Sequence, residues 1–200
     1  MLFFHSKIQK EHLVIGITGT AQGLGVTHLC IALANYMASK RRKKTACLEL
    51  SNSAAFEQFA PDETSAHRYF SIHDVDYYPN VQKDDIPQLI NSGYEILILD
   101  FGTLCPDCLD ELFRCDRKFF VCSNAPWRNA ELSTCFSTYP QIKKMEFLLF
   151  MINYGTKLDM AKMALDFSIP YGQLRTVPFL PNPFHIEKEW FSLFEKLLLP

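Results

Sequence analysis

Apolar and polar positions change period repeatedly along the chain, and each change marks an element. Leu13 to Ile17 form an apolar, β-rich run. A turn with Gly19, Gly23 and Gly25 follows, and from Val26 the apolar residues Val26, Leu29, Cys30, Leu33 and Met37 recur at helical spacing. The same reading predicts strands over Thr45–Leu50, Arg68–Ile72, Ile96–Leu99, Phe119–Cys122, Glu146–Ile152 and Leu174–Val177. It predicts helices over Ala54–Phe59, around Ile86, Leu89 and Ile90 up to the stop at Asn91-Ser92-Gly93, over Asn129–Tyr139 and over Lys157–Phe167. A last helix carries Ile186, Trp190, Leu193, Phe194, Leu197 and Leu198 on one side, and an edge strand is expected through Leu2, Phe3 and Phe4. Alternating strands and helices, with strands apolar enough to be buried on both faces, imply a three-layer α/β/α architecture with a mostly parallel sheet. At 200 residues the expectation is a single domain, 1–200, with a sizeable core.

The first turn carries the candidate chemistry. Glycines between a buried strand and a helix let backbone N–H groups converge on an anion that the helix N-terminus already favours. Set against G-x-x-x-x-G-K-[ST], the second glycine is Gly25 and the hydroxyl residue is Thr27, but Val26 stands where the lysine belongs and Thr20 where the first glycine belongs. The loop has the shape of a phosphate cradle without its cation.

With those residues in view, the segment resembles the ParA/MinD family of P-loop ATPases. The family's loop reads K-G-G-x-G-K-[ST]-T, and Ala21-Gln22-Gly23-Leu24-Gly25-Val26-Thr27-His28 stands in those places, so both lysines are missing. IALANYMASKRRKKTACLEL is similar to the family's helix, basic turn and second strand, YEILILDFG to its Walker B strand, and FLLFMINYG to its late strand ending in asparagine. The resemblance implies a P-loop NTPase-like fold over roughly residues 12–180. It implies nucleotide contacts at Gly23, Gly25, Thr27 and His28, a Mg²⁺ site built on Thr27 and Asp100, and adenine contacts from Asn153 and Pro178. It also matches the family's second-strand aspartate pair to Glu49 and Ser51, and a serine cannot act as that carboxylate would.

Composition narrows the setting. Net charge is −2, which gives no reason to expect nucleic acid as a partner. No apolar run approaches the ~18 residues of a membrane span, and the start lacks the long apolar region of a cleavable signal, so a cytoplasmic setting is expected, and the family resemblance implies a bacterial one. Lys40-Arg41-Arg42-Lys43-Lys44 reads as a solvated turn at a helix C-terminus. The last helix has only two lysines against three glutamates, so docking on the core is favoured over membrane contact. His67, His73, Asp74 and Asp76 do not fall together on any regular element and read as loop residues rather than metal ligands. Seven cysteines, an odd number spread over core-forming elements, fit reduced thiols better than a disulfide framework. Cys105-Pro106-Asp107-Cys108 is the one C-x-x-C, a pattern of redox or metal chemistry when exposed near a helix start.

Three readings follow. The first is a catalytically degenerate ParA/MinD-like scaffold or regulator that works through a protein partner or a homodimer, with little or no ATP hydrolysis. The second is a switch protein that keeps weak ATP or ADP affinity, with Mg²⁺, through the loop amides, Thr27, Asp100 and Asn153. The third is a thiol or metal protein that uses Cys105 and Cys108.

Overall fold

The computed structural model describes residues 12–61, 68–153 and 155–198; the edge strand expected at residues 2–4 and His67 lie outside them. One eight-stranded sheet organises the chain: β1 (Leu13–Gly19), β2 (Thr45–Glu49), β3 (Phe70–Ile72), β4 (Val75–Tyr78), β5 (Ile96–Thr103), β6 (Arg117–Ser123), β7 (Leu148–Asn153) and β8 (Leu174–Val177). Their spatial order is β3-β4-β2-β5-β1-β6-β7-β8. Every pairing is parallel except β3–β4.

Parallel strands need crossovers, and the crossovers cover both faces. On one face α1 (Val26–Ser39) packs with α6 (Lys188–Leu198), through Leu29, Leu33, Tyr36, Trp190 and Phe194. On the other, α2 (Ile86–Ile90), α3 (Pro106–Arg114), α4 (Asn129–Thr138) and α5 (Lys157–Phe167) contribute Ile86, Leu112, Phe136 and Met163. The sheet lies between two apolar layers because its central strands are apolar on both sides; β5 is buried from Ile96 to Phe101.

The apolar side of α6 docks on α1. Trp190, Phe194 and Leu197 are buried, and the Phe194 ring lies 5.1 Å from that of Tyr36. The basic run just past α1 is tied down locally: Lys43 Nζ pairs with Glu95 at 2.7 Å, Lys40 lies over Phe191 and Lys44 over Tyr94. No helix among the described residues is long and apolar enough to cross a membrane.

Three local differences from the periodicity have physical causes. The strand expected at Arg68–Ile72 is half of a hairpin whose turn, His73-Asp74, has positive φ at both residues (50° and 62°), the geometry of tight two-residue hairpins. Asp76 therefore sits in β4, not in a loop, and its carboxylate accepts from Ser71 Oγ and Tyr94 Oη. The helix expected over Ala54–Phe59 is a single 3-10 turn, Glu57–Phe59, since Ala54 has φ 50°. Finally, α3 follows β5 directly, a helix that the short Cys-Pro-Asp-Cys stretch does not announce by period.

Candidate functional site

Residues 20–25 carry the chain from the end of β1 to the start of α1, at the edge where ligands of open α/β sheets bind. The turn depends on glycine at two kinds of position. Gly23 and Gly25 have φ 75° and 82°. Gly19 is needed for close approach, because a Cβ there would stand 2.9 Å from Val26 Cγ2 and 3.1 Å from the Val121 carbonyl oxygen. Gly25 offers no side-chain cap, and no acidic residue occupies the first turn of α1, so its leading N–H groups face the loop.

Val26, which the resemblance matches to the family's second lysine, opens α1. It is 6% exposed and belongs to the apolar layer under α1, packed against the end of β1. Ala21, which the resemblance matches to the family's other lysine, is half-buried against the same layer. Both side chains at the positions that the resemblance matches to lysines are packed.

At the neighbouring strand end, Asp100 is fully buried. Its Oδ1 accepts from the Gly102 amide at 2.9 Å, and its Oδ2 has no hydrogen-bond partner among the described residues. Burial pushes its carboxyl up to about 6, with the Thr27 hydroxyl and the Gly102 amide pulling the other way. Thr27 and Asp100 are thus together, as the resemblance implies, and an unpartnered buried carboxylate oxygen suits a cation or a proton. Glu49, beside Asp100 on the neighbouring strand, adds to the upward push on that carboxyl, and its own carboxylate accepts from Ser53 Oγ at 2.6 Å and from the amides of Ala55 (2.7 Å) and Phe56 (3.4 Å), holding the loop after β2. Ser51 packs on Gly102, whose φ is 61° and where a Cβ would stand 2.7 Å from Ser51 Cβ.

Two recesses flank the loop. A cleft of about 860 Å³ is lined by residues 21–28, Leu50 to Ser53, Phe101 to Thr103 and Cys105. On the far side, a cavity of about 240 Å³ gathers Gly23, Gly25, His28, Asn153, Pro178 and Trp190. Asn153 also donates to the Leu24 carbonyl, tying the loop to the end of β7. His28 Nε2 is buried without a partner among the described residues; burial lowers its pKa, against the opposing effect of the Leu180 backbone. Gly23, Gly25, Thr27, His28, Asn153 and Pro178 all lie on these recesses, with Asp100 buried beneath Thr27.

Sequence reasoning missed Arg128. It follows β6 in a short 3-10 turn, pairs with Glu131 at 3.2 Å, and points a guanidinium nitrogen at the Gln22 carbonyl 3.5 Å away. Another of its nitrogens lies 4.0 Å from where a Cβ at Gly23 would be. This cation at the loop tip is distant in sequence from the motif, so no spacing rule could find it. Beside it, Trp127 is 82% exposed, and Phe179, on the wall of the small cavity, is also exposed.

All seven cysteines are free, and six are buried. Cys105, half-buried, caps α3 and opens onto the larger cleft. No group of three His, Cys, Asp or Glu residues arranged to hold a metal occurs among the described residues.

No protein-family model matches the sequence, and no curated protein matches it. Similar solved structures are numerous. A plasmid partition protein of Borrelia burgdorferi, bound to AMPPNP, superposes with a TM-score of 0.66 at 13% identity, over 94% of this chain and 97% of that one. A ParA family ATPase from Chlorobium tepidum gives 0.63 at 11%, over 84% and 85%. The cell division ATPase MinD of Pyrococcus furiosus gives 0.60 at 15%, over 92% and 96%. Identities this low speak for architecture alone, and the architecture is that of the ParA/MinD P-loop proteins: a mostly parallel α/β sheet with a glycine turn at the head of its first helix.

Proposed function

We propose that this protein is a catalytically degenerate ParA/MinD-like scaffold or regulator that acts through protein contacts and hydrolyses little or no ATP. The observation that carries the reading is Val26, which is buried in the layer beneath α1 at the lysine position of the loop. The P-loop lysine neutralises phosphate charge, and more so in the transition state. A buried valine offers nothing there, and each lost charge-assisted bond costs about 1.5–3 kcal/mol, roughly 10- to 150-fold in binding. Exposed Trp127 and Phe179 near the loop give this edge apolar surface suited to protein contact.

Arg128 favours a second reading, weak ATP or ADP binding as a switch. Its guanidinium stands at the loop tip, Thr27 and Asp100 are the residues that would hold Mg²⁺, and Asn153 and Pro178 line a cavity beside the loop. The fit is partial: the metal end is furnished and the phosphate end lacks its lysine. The two readings separate on sedimentation of the purified protein with and without ATP and Mg²⁺. The scaffold reading predicts an unchanged mass, either a constitutive dimer or a monomer awaiting another protein. A monomer that dimerises only with nucleotide refutes it.

A further inference from the structure

The C-x-x-C stretch takes a specific form once folded. Cys105, in extended conformation, is the N-cap of α3, and Pro106 and Asp107 begin the helix. The two cysteines are then bonded to each other: Cys108 Sγ accepts from the Cys105 amide at 3.2 Å and donates to the Cys105 carbonyl at 3.1 Å, and the Cys108 amide donates to that same carbonyl at 3.2 Å. The two thiols lie close enough to influence each other's charge. The pair is asymmetric in access. Cys105 lines the 860 Å³ cleft, and Cys108 is 5% exposed beneath it.

Each of the simpler accounts leaves something over. A purely packed thiol explains Cys108 but not Cys105, which sits at the cleft wall where serine or aspartate would cap the helix better. A metal site needs further ligands, and no such group occurs among the described residues. A cleft-lining sulfur at a helix N-terminus, with a second sulfur buried one turn along, is the arrangement in which the first attacks a disulfide and the second resolves the product.

We propose that Cys105 and Cys108 form a dithiol that exchanges with small disulfides, with Cys105 as the attacking sulfur and Cys108 as the resolving one. In the first step the Cys105 thiolate attacks one sulfur of a disulfide R–S–S–R, forming a mixed disulfide and releasing one thiolate, RS⁻. That thiolate takes up a proton from solvent. In the second, Cys108 gives up its proton and attacks Cys105 Sγ, closing the internal disulfide and releasing the other thiol. The dithiol is oxidised by two electrons and the small disulfide is reduced to two thiols. Burial pushes the Cys108 thiol up to about 12, so it is protonated at rest and enters only at the second step. This proposal does not rest on nucleotide binding or on the scaffold reading.

The test uses the full chain equilibrated with graded ratios of oxidised to reduced glutathione, quenched by alkylation and mapped by mass spectrometry. Trypsin releases both sulfurs in one peptide, from Asp84 to Arg114, which contains no other cysteine. The expected result is loss of two hydrogens from that peptide, reversed by reductant, and glutathione retained on Cys105 in Cys108→Ser. Cys105→Ser keeps a good N-cap, should fold, and should hold no glutathione on Cys108. The proposal is overturned if both thiols alkylate fully at the most oxidising ratio, or if Cys105→Ser is glutathionylated on Cys108 as fast as Cys108→Ser is on Cys105. Should Cys108→Ser fail to fold, the mapping of the wild-type peptide alone decides.

Discussion

Placing a lysine at the head of α1, in Val26→Lys, weighs the proposed loss of phosphate affinity against the packing of the valine. Val26 is nearly fully buried beside Gly19 and Val121. Full burial of a valine contributes roughly 1.5 kcal/mol or somewhat more. A lysine stem can cover part of the same surface while its head turns to the cleft, so the ligand-free variant should lose about 1 kcal/mol, or about 2–4 °C in Tm. Against this, one restored charge-assisted bond to phosphate is worth about 1.5–3 kcal/mol, a gain of roughly 10- to 150-fold in ATP affinity. The two effects have opposite signs and are read together by thermal melting and calorimetric titration with ATP and Mg²⁺. The ligand-free variant melts lower than wild type, and with ATP at about 100 times its Kd it regains about 2.7 kcal/mol. A folded Val26→Lys protein with no gain in affinity would show that the cleft is not a phosphate site. A wild type that binds ATP as tightly as the variant would show that valine does not limit binding.

Three further outcomes follow from the same geometry. Asp100 holds its proton more tightly folded than unfolded, so its contribution to stability is complete below about pH 4 and is lost as pH rises through about 6. Asp100→Asn should match wild type near pH 4 and exceed it by about 3 kcal/mol at pH 7.5, a difference that denaturant titration at the two pH values resolves. Glu49→Ala leaves Ser53 and the amides of Ala55 and Phe56 without their acceptor and should cost about 2–4 kcal/mol, seen as a lower denaturation midpoint. In the Val26→Lys background, Arg128→Ala should weaken ATP about tenfold under the weak-binding reading and leave it unchanged if the guanidinium only braces Gln22 and Glu131.

The layers of this fold were legible because period and burial coincide where strands are covered on both faces. Ile96–Leu99, Phe119–Cys122 and the stripe from Val26 to Met37 each declare their element, and all three form the middle of the molecule. Legibility fell where three or four residues decide the conformation. The His73-Asp74 turn rests on two positive φ values rather than on a glycine, so β4 gave no turn signal in advance. The site divides the same way. Gly23, Gly25 and Thr27 could be placed by spacing, Asp100 by the end of its strand, and Asn153 and Pro178 through the family resemblance alone; the fold brings them around one loop. Arg128 and the bonds between Cys105 and Cys108 depend on tertiary placement and on a helix start that the sequence does not mark.

Steady-state ATP hydrolysis by the purified full chain, with Mg²⁺ and with Asp100→Ala measured beside it, tests the proposed loss of catalysis most directly. The account predicts that both proteins release phosphate at the rate of the buffer alone. Turnover above that background in the wild type, abolished by Asp100→Ala in a folded protein, would contradict it.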